Sequence, residues 1–346
     1  MSQIIRTVVV DDSAFARKSV REMLSSSPYI EVVGTARDGV EALEVVAQLS
    51  PDVVICDLGM PGLDGVGFVR QQMARRRLPI LIVSKADGDA VPVLEALEAG
   101  AVDFVQKPSA LATDELLRIR EELVEKVKAA AQAPVDILVE AVNGEVQPAA
   151  VPLRRTGRVD VVVIGISTGG PQGLRALMPR FPATFPLPVA IVLHMPVGFT
   201  KLYAAKLNET CAMEVSEAVE GEELLPGRCI LAPAGRHLRL VRSPSGGVIS
   251  HLTMHPLEQL HRPSVDVLFQ SAVEVYGRKV LGVVMTGMGS DGREGCAWIK
   301  AQGGMVLTET QESCVIYGMP RSVVEAHLSD GAIPLSHMAE AIFERI

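Results

Sequence analysis

The chain has 346 residues, which is enough for two domains of ordinary size. Hydrophobic residues make up 48% of the chain but aromatic residues only 4%. The apolar content is therefore mostly aliphatic, as in buried parallel strands covered by helices. The formal net charge of −8 argues against the basic face that nucleic-acid-binding domains usually carry. We expect protein partners and no nucleic acid.

Neither the N-terminal segment nor the longest apolar runs indicate a membrane protein. The first residues lack a basic segment followed by a long apolar stretch, so no signal peptide is expected. The longest apolar runs are far shorter than the ~20 residues that a membrane span needs. The five cysteines form no C-x-x-C pair, which favours free thiols in a reducing compartment. We expect a cytoplasmic protein without membrane insertion.

The first third of the chain alternates between strand-like and helical patterns. Apolar runs predict five strands, at residues 4–10, 30–36, 53–56, 80–83 and 102–105. Helical periodicity predicts five helices, at residues 14–24, 40–49, 66–74, 91–99 and 112–131. This alternation is typical of a doubly wound parallel sheet, whose functional residues lie at the carboxyl ends of the strands. We assign this first domain to residues 1–128.

A second α/β pattern follows an irregular segment. Residues 129–157 are rich in alanine, proline, valine and glutamine, and because so long a loop is unusual inside one domain, we predict an interdomain linker. For the second domain, residues 158–346, we predict strands at 159–164, 188–193, 229–232, 237–242, 280–285 and 304–308. We predict helices at 172–178, 201–208, 264–276, 293–302 and 337–346, and a hairpin turn at 243–247. The predicted fold class is α/β, with two doubly wound, mainly parallel-sheet domains and a hairpin inserted in the second.

Polar side chains follow four of the five strands of the first domain. Asp11 and Asp12 follow the first strand, Asp57 the third, Ser84 the fourth and Lys107 the fifth. Because the carboxyl ends of parallel strands share one edge, these groups should converge. Carboxylates that converge in this way suit Mg²⁺, and an aspartate beside Mg²⁺ and a lysine can accept a phosphoryl group. The alternative is a set of solvated acids at strand ends.

The segments VVVDDS, CDLGMPGLDG, IVSKA and FVQKP resemble those of response-regulator receiver domains of two-component signalling, over roughly residues 4 to 128. The resemblance implies a flavodoxin-like fold in which Asp57 is the phosphoacceptor. It also implies that Mg²⁺ binds to Asp12, Asp57 and the backbone carbonyl of Gly59, with Asp11 assisting. The phosphodonor would be a chemotaxis-type histidine kinase.

The same resemblance assigns roles to three further residues of the first domain. Ser84 and Lys107 would sense the phosphoryl group, and Phe104 stands where receiver domains place an aromatic switch residue. For Phe104, an ordinary core aromatic is the alternative. Contacts of Ser84 with the new phosphoryl group would give the domain two states.

A glycine-rich turn follows the first strand of the second domain. The segment VVVIGISTGGP predicts a strand, a tight turn and the start of a helix, with Ser167 on the turn. A serine in this position is exposed beside helix N-terminal amides, as a nucleophile beside oxyanion donors would be. Two alternatives are a phosphate-binding loop and a helix cap. A dinucleotide site is disfavoured because the G-x-G-x-x-G glycines are absent.

Two further strand-end residues complete a possible hydrolytic set. His194 ends the apolar run VAIVL, and Asp291 lies on the glycine-rich loop after the strand in VLGVVMTGMGSDG. An aspartate can orient a catalytic imidazole and stabilise its protonated form. A structural histidine, and an aspartate that caps the helix starting near Arg293, are the alternatives. The chain order Ser, His, Asp differs from that of the α/β-hydrolases.

The segments GISTGGP, HMPVGFT, ILAPAGRH, RPSVDVLF, VMTGMGSDG and ESCVIYGMPR resemble those of chemotaxis-type protein-glutamate methylesterases, the CheB family. The resemblance covers nearly all of residues 158 to 334. It implies that Ser167 is the nucleophile, His194 the general base and Asp291 its orienting partner. The backbone amide of Met288, with Thr168 nearby, would bind the oxyanion. The hydrolase would need no cofactor.

The combined resemblance implies phosphorylation-regulated hydrolysis of glutamate methyl esters on methyl-accepting chemotaxis receptors, with release of methanol. It also implies deamidation of receptor glutamines and a role in sensory adaptation. The receiver would cover the active-site face until phosphorylated, and we expect a monomer. Two alternatives are a receiver joined to a hydrolase-like binding module and a transcriptional regulator, which would need a helix-turn-helix.

Overall fold

The structure is a computed structural model, and it describes residues 4–84, 90–107, 113–133, 135 and 157–346. The chain forms two compact units, Met1–Val139 and Glu140–Ile346. Most of the predicted linker, residues 129–157, lies outside the described residues, and the domain boundaries stay a prediction. Within the described ranges, no helix is both long enough and apolar enough to cross a bilayer.

The first unit contains one parallel sheet of five strands. The strands are β1 Ile5–Val10, β2 Ile30–Ala36, β3 Val53–Cys56, β4 Ile80–Ser84 and β5 Asp103–Gln106. The helices are α1 Ala14–Leu24, α2 Gly39–Leu49, α3 Gly65–Arg75, α4 Ala90–Glu98 and α5 Thr113–Ala130. The strand order is β2-β1-β3-β4-β5, which is the flavodoxin-like order. Every predicted bound in this unit lies within one residue of the observed bound.

Helix starts in the first unit are fixed by polar side chains that accept backbone hydrogen bonds. Ser13 caps α1 through the amide of Ala16, and Asp38 caps α2. Asp64 caps α3 in the same way. Because each cap satisfies backbone donors that the helix itself leaves free, the helix starts are encoded locally, which explains why the sequence predicted them closely.

The second unit contains a parallel sheet of seven strands and a separate antiparallel hairpin. The strands are β6 Val161–Ile166, β7 Val189–Leu193, β8 Glu214–Glu217, β9 Arg228–Leu231, β10 His237–Arg242, β11 Val248–Thr253, β12 Val280–Val284, β13 Met305–Glu309 and β14 Gly331–Ile333. The helices are α6 Gly170–Leu177, α7 Thr200–Thr210, α8 Val265–Tyr276, α9 Arg293–Ala301, α10 Met319–Glu325 and α11 Met338–Phe343. The hairpin pairs β10 with β11. The predicted fold class is confirmed for both units.

The prediction missed three strands and one helix of the second unit, although for one of these strands, β11, it gave the hairpin turn that precedes it. Strand β8 is a polar edge strand with the sequence EVSE, and β14 has only three residues. Helix α10 has seven residues and begins beside a proline. Short elements at a sheet edge carry little periodic signal, so their positions depend on tertiary pairing. The first predicted strand of this unit, 159–164, begins two residues before the observed β6.

Strand order explains where the site of the second unit lies. The order is β14-β13-β12-β6-β7-β9-β8, so β6 has β7 on one side and β12 on the other. All three strands are buried along their whole length. The chain first extends the sheet from β6 towards β8 and later, from β12, in the opposite direction. Ligand sites of open parallel sheets lie where this reversal occurs, outside the carboxyl ends of the strands.

Candidate active site

A charged cluster lies at the carboxyl edge of the first sheet. The ammonium of Lys107 lies 2.7 Å from Asp11 Oδ2 and 2.7 Å from Asp57 Oδ1. Burial raises the pKa of the Asp57 carboxyl, although the hydrogen bond from Lys107 works in the opposite direction. Burial alone would lower the pKa of Lys107, but its bonds to Asp11 and Asp57 outweigh that effect and raise it. The structure therefore brings these three predicted residues together.

The same cluster has the chemistry of a magnesium site. Carboxylate oxygens of Asp11, Asp12 and Asp57 all lie within 4.8 Å of one another. Asp12 is exposed, as is Gly59 on the loop after β3, whereas Asp57 is only 6% exposed. A small set of carboxylates that is open on one side suits Mg²⁺, which keeps several waters and phosphate oxygens among its ligands. The oxygen donors present thus fit the metal.

Ser84 and Phe104 occupy buried positions on the two neighbouring strands. Ser84 is the last residue of β4, and its carbonyl accepts the Lys107 amide at 2.7 Å. Phe104 is buried, its carbonyl accepts a hydrogen bond from Lys126, and the Lys126 ammonium lies 5.7 Å from its ring centroid. This environment is what the core alternative describes, and the switch role of Phe104 stays a prediction.

Ser167 stands directly after β6 on a turn that only glycine can complete. Gly169 adopts φ +78°, a left-handed conformation that glycine tolerates without strain, and forms the N-cap of α6 without a side-chain bond. The helix-cap alternative for Ser167 is therefore wrong. The Ser167 amide donates to the Thr286 carbonyl at 2.9 Å, and its hydroxyl bonds to no described residue. The hydroxyl is left available at the carboxyl edge of the sheet.

His194 lies beside Ser167 at the same edge. Ile166 of β6 pairs with Leu193 of β7, and Ser167 and His194 are the residues that directly follow this pair. The His194 amide donates to the Ile166 carbonyl at 3.2 Å. His194 Nε2 lies 2.8 Å from Asp291 Oδ2. The other ring nitrogen, Nδ1, is buried and has no partner among the described residues. Because Asp291 takes the Nε2–H, Nδ1 is the nitrogen that can accept a proton.

Asp291 is held by the start of helix α8 rather than by its own helix. Its carboxylate accepts hydrogen bonds from the Ser264 hydroxyl at 2.9 Å, the Val265 amide at 2.8 Å and the Asp266 amide at 3.0 Å. Burial by itself would raise the pKa of Asp291, but the bond with His194 and these amides lower it well below its usual range. Asp291 is therefore ionised and fixed in place.

The first amides of helix α9, which follows Asp291, donate to a carboxylate of α8. Asp266 Oδ1 accepts the Gly292 amide at 2.9 Å and the Gly295 amide at 2.7 Å. The alternative in which Asp291 caps α9 is therefore wrong, since Gly292 is the N-cap and has no side-chain bond. Burial and the charge of Asp291 raise the pKa of Asp266. Asp291, which precedes α9, thus accepts amides at the start of α8, and Asp266, at the start of α8, accepts amides at the start of α9.

The loop after β12 approaches Ser167 closely. A Cβ on Gly287 would lie 2.8 Å from Ser167 Cβ and 2.4 Å from Met319 Sδ, so only glycine fits. On the same loop, the Met288 amide donates to none of the described residues, which leaves it free to bind an oxyanion. The Thr168 carbonyl already accepts the Thr286 hydroxyl at 3.0 Å. Thr168 therefore lies beside this loop, as expected.

Two residues at this edge have no counterpart in the sequence-based set. The ring of His261 stacks on that of His194, with centroids 4.2 Å apart and planes 19° from parallel. Nothing in the irregular sequence around His261 indicates this contact. Asp266 was missed as well, because its bonds to the Gly292 and Gly295 amides join residues 26 and 29 positions apart, which no local pattern indicates. His237 is buried and bonds the Pro256 carbonyl and the Ser264 amide, which is a structural role.

Comparison with known proteins identifies both units. The family model described as the response regulator receiver domain matches residues 7–119, and the one described as CheB methylesterase matches residues 162–342. The crystal structure of the Thermotoga maritima CheB methylesterase catalytic domain is similar with 40% sequence identity and a TM-score of 0.53, over 54% of this chain and 99% of that chain.

Relatives match along almost the whole length. The protein-glutamate methylesterase/protein-glutamine glutaminase 5 of Myxococcus xanthus is 49% identical over 96% of this chain and 96% of its own. The protein-glutamate methylesterase/protein-glutamine glutaminase of Symbiobacterium thermophilum is 44% identical over 98% of this chain and 96% of its own. This chain belongs to the CheB methylesterase family, and a response regulator receiver domain precedes its catalytic domain.

Proposed function

We propose that this protein is a phosphorylation-regulated protein-glutamate methylesterase and protein-glutamine glutaminase that serves chemotactic adaptation. Its substrates are methyl esters and amides of glutamate side chains on methyl-accepting chemotaxis receptors. The names of the relatives support both reactions. The observation that carries the proposal is the His194 ring, whose Nε2 bonds Asp291 at 2.8 Å while its buried Nδ1 has no partner among the residues described.

The residues divide the ester hydrolysis into two steps. Ser167 Oγ attacks the ester carbonyl as His194 Nδ1 takes the hydroxyl proton, and the resulting oxyanion accepts a hydrogen bond from the Met288 amide. His194 then returns the proton to the departing methoxide, so methanol leaves and an acyl-enzyme remains. Asp291 holds the ring and stabilises its protonated form. The Ser167 hydroxyl has no bond to His194 before substrate binds, which is common in free enzymes.

The second step regenerates the enzyme. Water attacks the acyl carbon as His194 takes its proton, and His194 then returns that proton to Ser167 Oγ as the bond to the acyl carbon breaks, which releases the glutamate product. A glutamine side chain follows the same path, except that His194 protonates the departing amide nitrogen, so that ammonia leaves instead of methanol. Both reactions form an oxyanion at the same position and lead to the same acyl-enzyme, so one site serves both substrates.

The receiver unit supplies the regulation. Asp57 accepts the phosphoryl group from a chemotaxis-type histidine kinase, and Asp11, Asp12, Asp57 and the Gly59 carbonyl hold Mg²⁺. The metal, when bound, neutralises charge on the phosphoryl oxygens. Lys107, which bridges Asp11 and Asp57 at 2.7 Å in each case, must exchange one of these bonds for a phosphoryl oxygen. That exchange, together with Ser84, links phosphorylation to a second state of the domain.

Methanol release from methylated receptor membranes tests the proposal. Wild-type protein is compared with Ser167→Ala, each with and without Mg²⁺ and a small phosphodonor. We expect Ser167→Ala to lower the turnover number at least about a thousandfold, because the nucleophile is lost. Ser290→Ala changes an exposed serine on the same loop as Met288 and should keep wild-type turnover.

The outcomes separate an enzyme from a binding module. Release that requires Ser167 and increases with the phosphodonor supports both parts of the proposal. Absence of release from several receptors, under every condition, would favour a hydrolase-like domain that only binds its partner. Release of ammonia from receptors with unmodified glutamines tests the glutaminase reaction in the same preparations.

A further inference from the structure

A buried carboxylate lies beneath the loops of the catalytic site, outside the proposed triad. Glu309 is the last residue of β13 and is 0% exposed. Its Oε2 accepts the Thr286 amide at 2.9 Å, and its Oε1 accepts the Ser313 hydroxyl at 3.0 Å. A buried acid is costly unless its oxygens are hydrogen-bonded. Both carboxylate oxygens of Glu309 are hydrogen-bonded here, so its burial is compensated by specific partners.

Thr286, the partner of Glu309, joins three loops. Its carbonyl accepts the Ser167 amide at 2.9 Å. Its hydroxyl donates to the Thr168 carbonyl at 3.0 Å and accepts the Ile316 amide at 3.0 Å. Every polar atom of Thr286 is therefore used, and its amide has Glu309 as its acceptor. The position of the nucleophile's backbone depends on where Thr286 is held.

The same support extends to the loop that binds the oxyanion. Gly287 follows Thr286 directly, and its amide donates to the Ile316 carbonyl at 3.0 Å. Its carbonyl accepts the Met319 amide at 2.8 Å. Because a Cβ on Gly287 would clash with Ser167 Cβ at 2.8 Å, a shift of this segment changes the spacing between the nucleophile and the next amide, that of Met288.

We propose that Glu309 is a positioning residue of the active site: its carboxylate fixes the Thr286 backbone and thereby the distance between Ser167 and the Met288 amide. Glu309 touches no reacting atom and acts through Thr286, while the Ser313 hydroxyl and the Cys314 side chain also bond its carboxylate. What it contributes is a hydrogen-bond acceptor for a buried amide, rather than a charge. The inference rests on the proposed esterase function, because the spacing matters only if Ser167 attacks a carbonyl.

Two substitutions of similar size distinguish the role of Glu309 as a hydrogen-bond acceptor from its role in filling space. Glu309→Gln keeps an oxygen for the Thr286 amide and can donate to the Ser313 hydroxyl, whereas Glu309→Met has comparable length and no comparable acceptor. We expect Glu309→Met to lower kcat about 10- to 100-fold with KM nearly unchanged, because a small misplacement affects the transition state most. Glu309→Gln should stay within about threefold of wild type in kcat.

The neighbouring residue on the same strand provides the matched control. Thr308 is also 0% exposed, and its hydroxyl bonds the Ser329 hydroxyl at 2.9 Å. Thr308→Val should lower the melting temperature, as loss of a buried hydrogen bond does, but leave kcat unchanged. Equal losses of kcat in Thr308→Val and Glu309→Met, or in the Gln and Met variants of Glu309, would overturn the proposal. So would a folded Glu309→Met with wild-type kcat.

A second variant carries the test if Glu309→Met does not fold. Ser313→Ala removes a second partner of Glu309 and leaves Thr286 intact, so kcat should fall a few-fold with KM unchanged. An unchanged kcat would overturn the proposal. Wild-type protein is measured in the same methanol assay. No release from wild type contradicts the esterase function itself, whereas wild-type release with unaffected variants contradicts only the role of Glu309.

Discussion

At the edge of the first sheet one lysine joins two carboxylates, whereas at the edge of the second sheet a single carboxylate is bound by several groups of one helix start as well as by a histidine. In the first unit, Lys107 bridges Asp11 and Asp57. In the second unit, the carboxylate of Asp291 rests on two amides of α8 as well as on His194. Both edges use the same geometry of parallel strands.

The difference corresponds to what each edge has to do. A cluster of ion-paired side chains can exchange partners when a metal or a phosphoryl group arrives, because no backbone has to move first. A nucleophile and an oxyanion donor must instead be held at a fixed spacing before the substrate binds. Side-chain ion pairs suit the first task, and hydrogen bonds to backbone suit the second. Three predictions test this contrast.

Asp57→Asn should abolish the response to the phosphodonor completely. The amide cannot form the acyl phosphate, and it lowers the negative charge that Mg²⁺ and Lys107 require. Methanol release with and without Mg²⁺ and phosphodonor measures the response. Glu22→Gln, which changes a surface carboxylate on α1, should keep it. A remaining response in Asp57→Asn would mean that the two edges are not separate in function.

The stability of the second unit should fall as the pH rises, through Glu309. Burial raises the pKa of this carboxyl from 4.5 to about 7, so between these values the folded chain binds more protons than the unfolded chain. The stabilisation is complete below pH 4.5 and is lost as the pH passes 7. It amounts to at most about 3 kcal/mol.

Unfolding of wild type and Glu309→Gln between pH 4 and pH 8 isolates this effect. The glutamine does not titrate, so the variant should gain stability relative to wild type as the pH rises. A constant difference between the two proteins across this range would mean that folding does not raise the pKa of Glu309, so that its carboxylate is ionised at neutral pH. The second edge would then hold a fixed charge, and the contrast with the first edge would be weaker.

Asp266→Ala should lower kcat about tenfold, because the start of α9 loses its acceptor and Asp291, next to Gly292, becomes free to shift. Asp266→Asn keeps an oxygen for the Gly292 and Gly295 amides and should restore most of the activity. The turnover number and KM are measured for both variants. If Asn is no better than Ala, the charge of Asp266, and not its hydrogen bonds, supports the site, and the contrast drawn above is wrong.

Local patterns were sufficient to predict the strands of the first unit and the residues that follow them. Asp11, Asp57 and Lys107 were predicted to converge because each directly follows a strand, and the structure brings them together. The same reasoning brought Ser167, His194 and Asp291 to one edge. Their chemical roles are proposals that the experiments above test.

The supporting residues of the second site could not be predicted in the same way. His261 stacks on His194 from an irregular segment, and Glu309 reads as an ordinary strand end. The hydrogen bonds of Asp291 and Asp266 with amides at the starts of α8 and α9 join residues 25 to 29 positions apart, so only the packing of the helices reveals them. Edge strand β8 was missed because its pairing with β9, and not its sequence, makes it a strand.

The position of β6 between β7 and β12 also has a consequence for how the enzyme is made. Asp160 and Lys279, which flank β6 and β12, are 119 residues apart and form an ion pair. During synthesis, β6 and β7 emerge with Ser167 and His194 long before Asp291 and the Met288 loop exist. Contacts of such long sequence separation form late. A partly synthesised chain therefore carries Ser167, the proposed nucleophile, without Asp291 and the Met288 loop, and we expect esterase activity only after β12 joins the sheet.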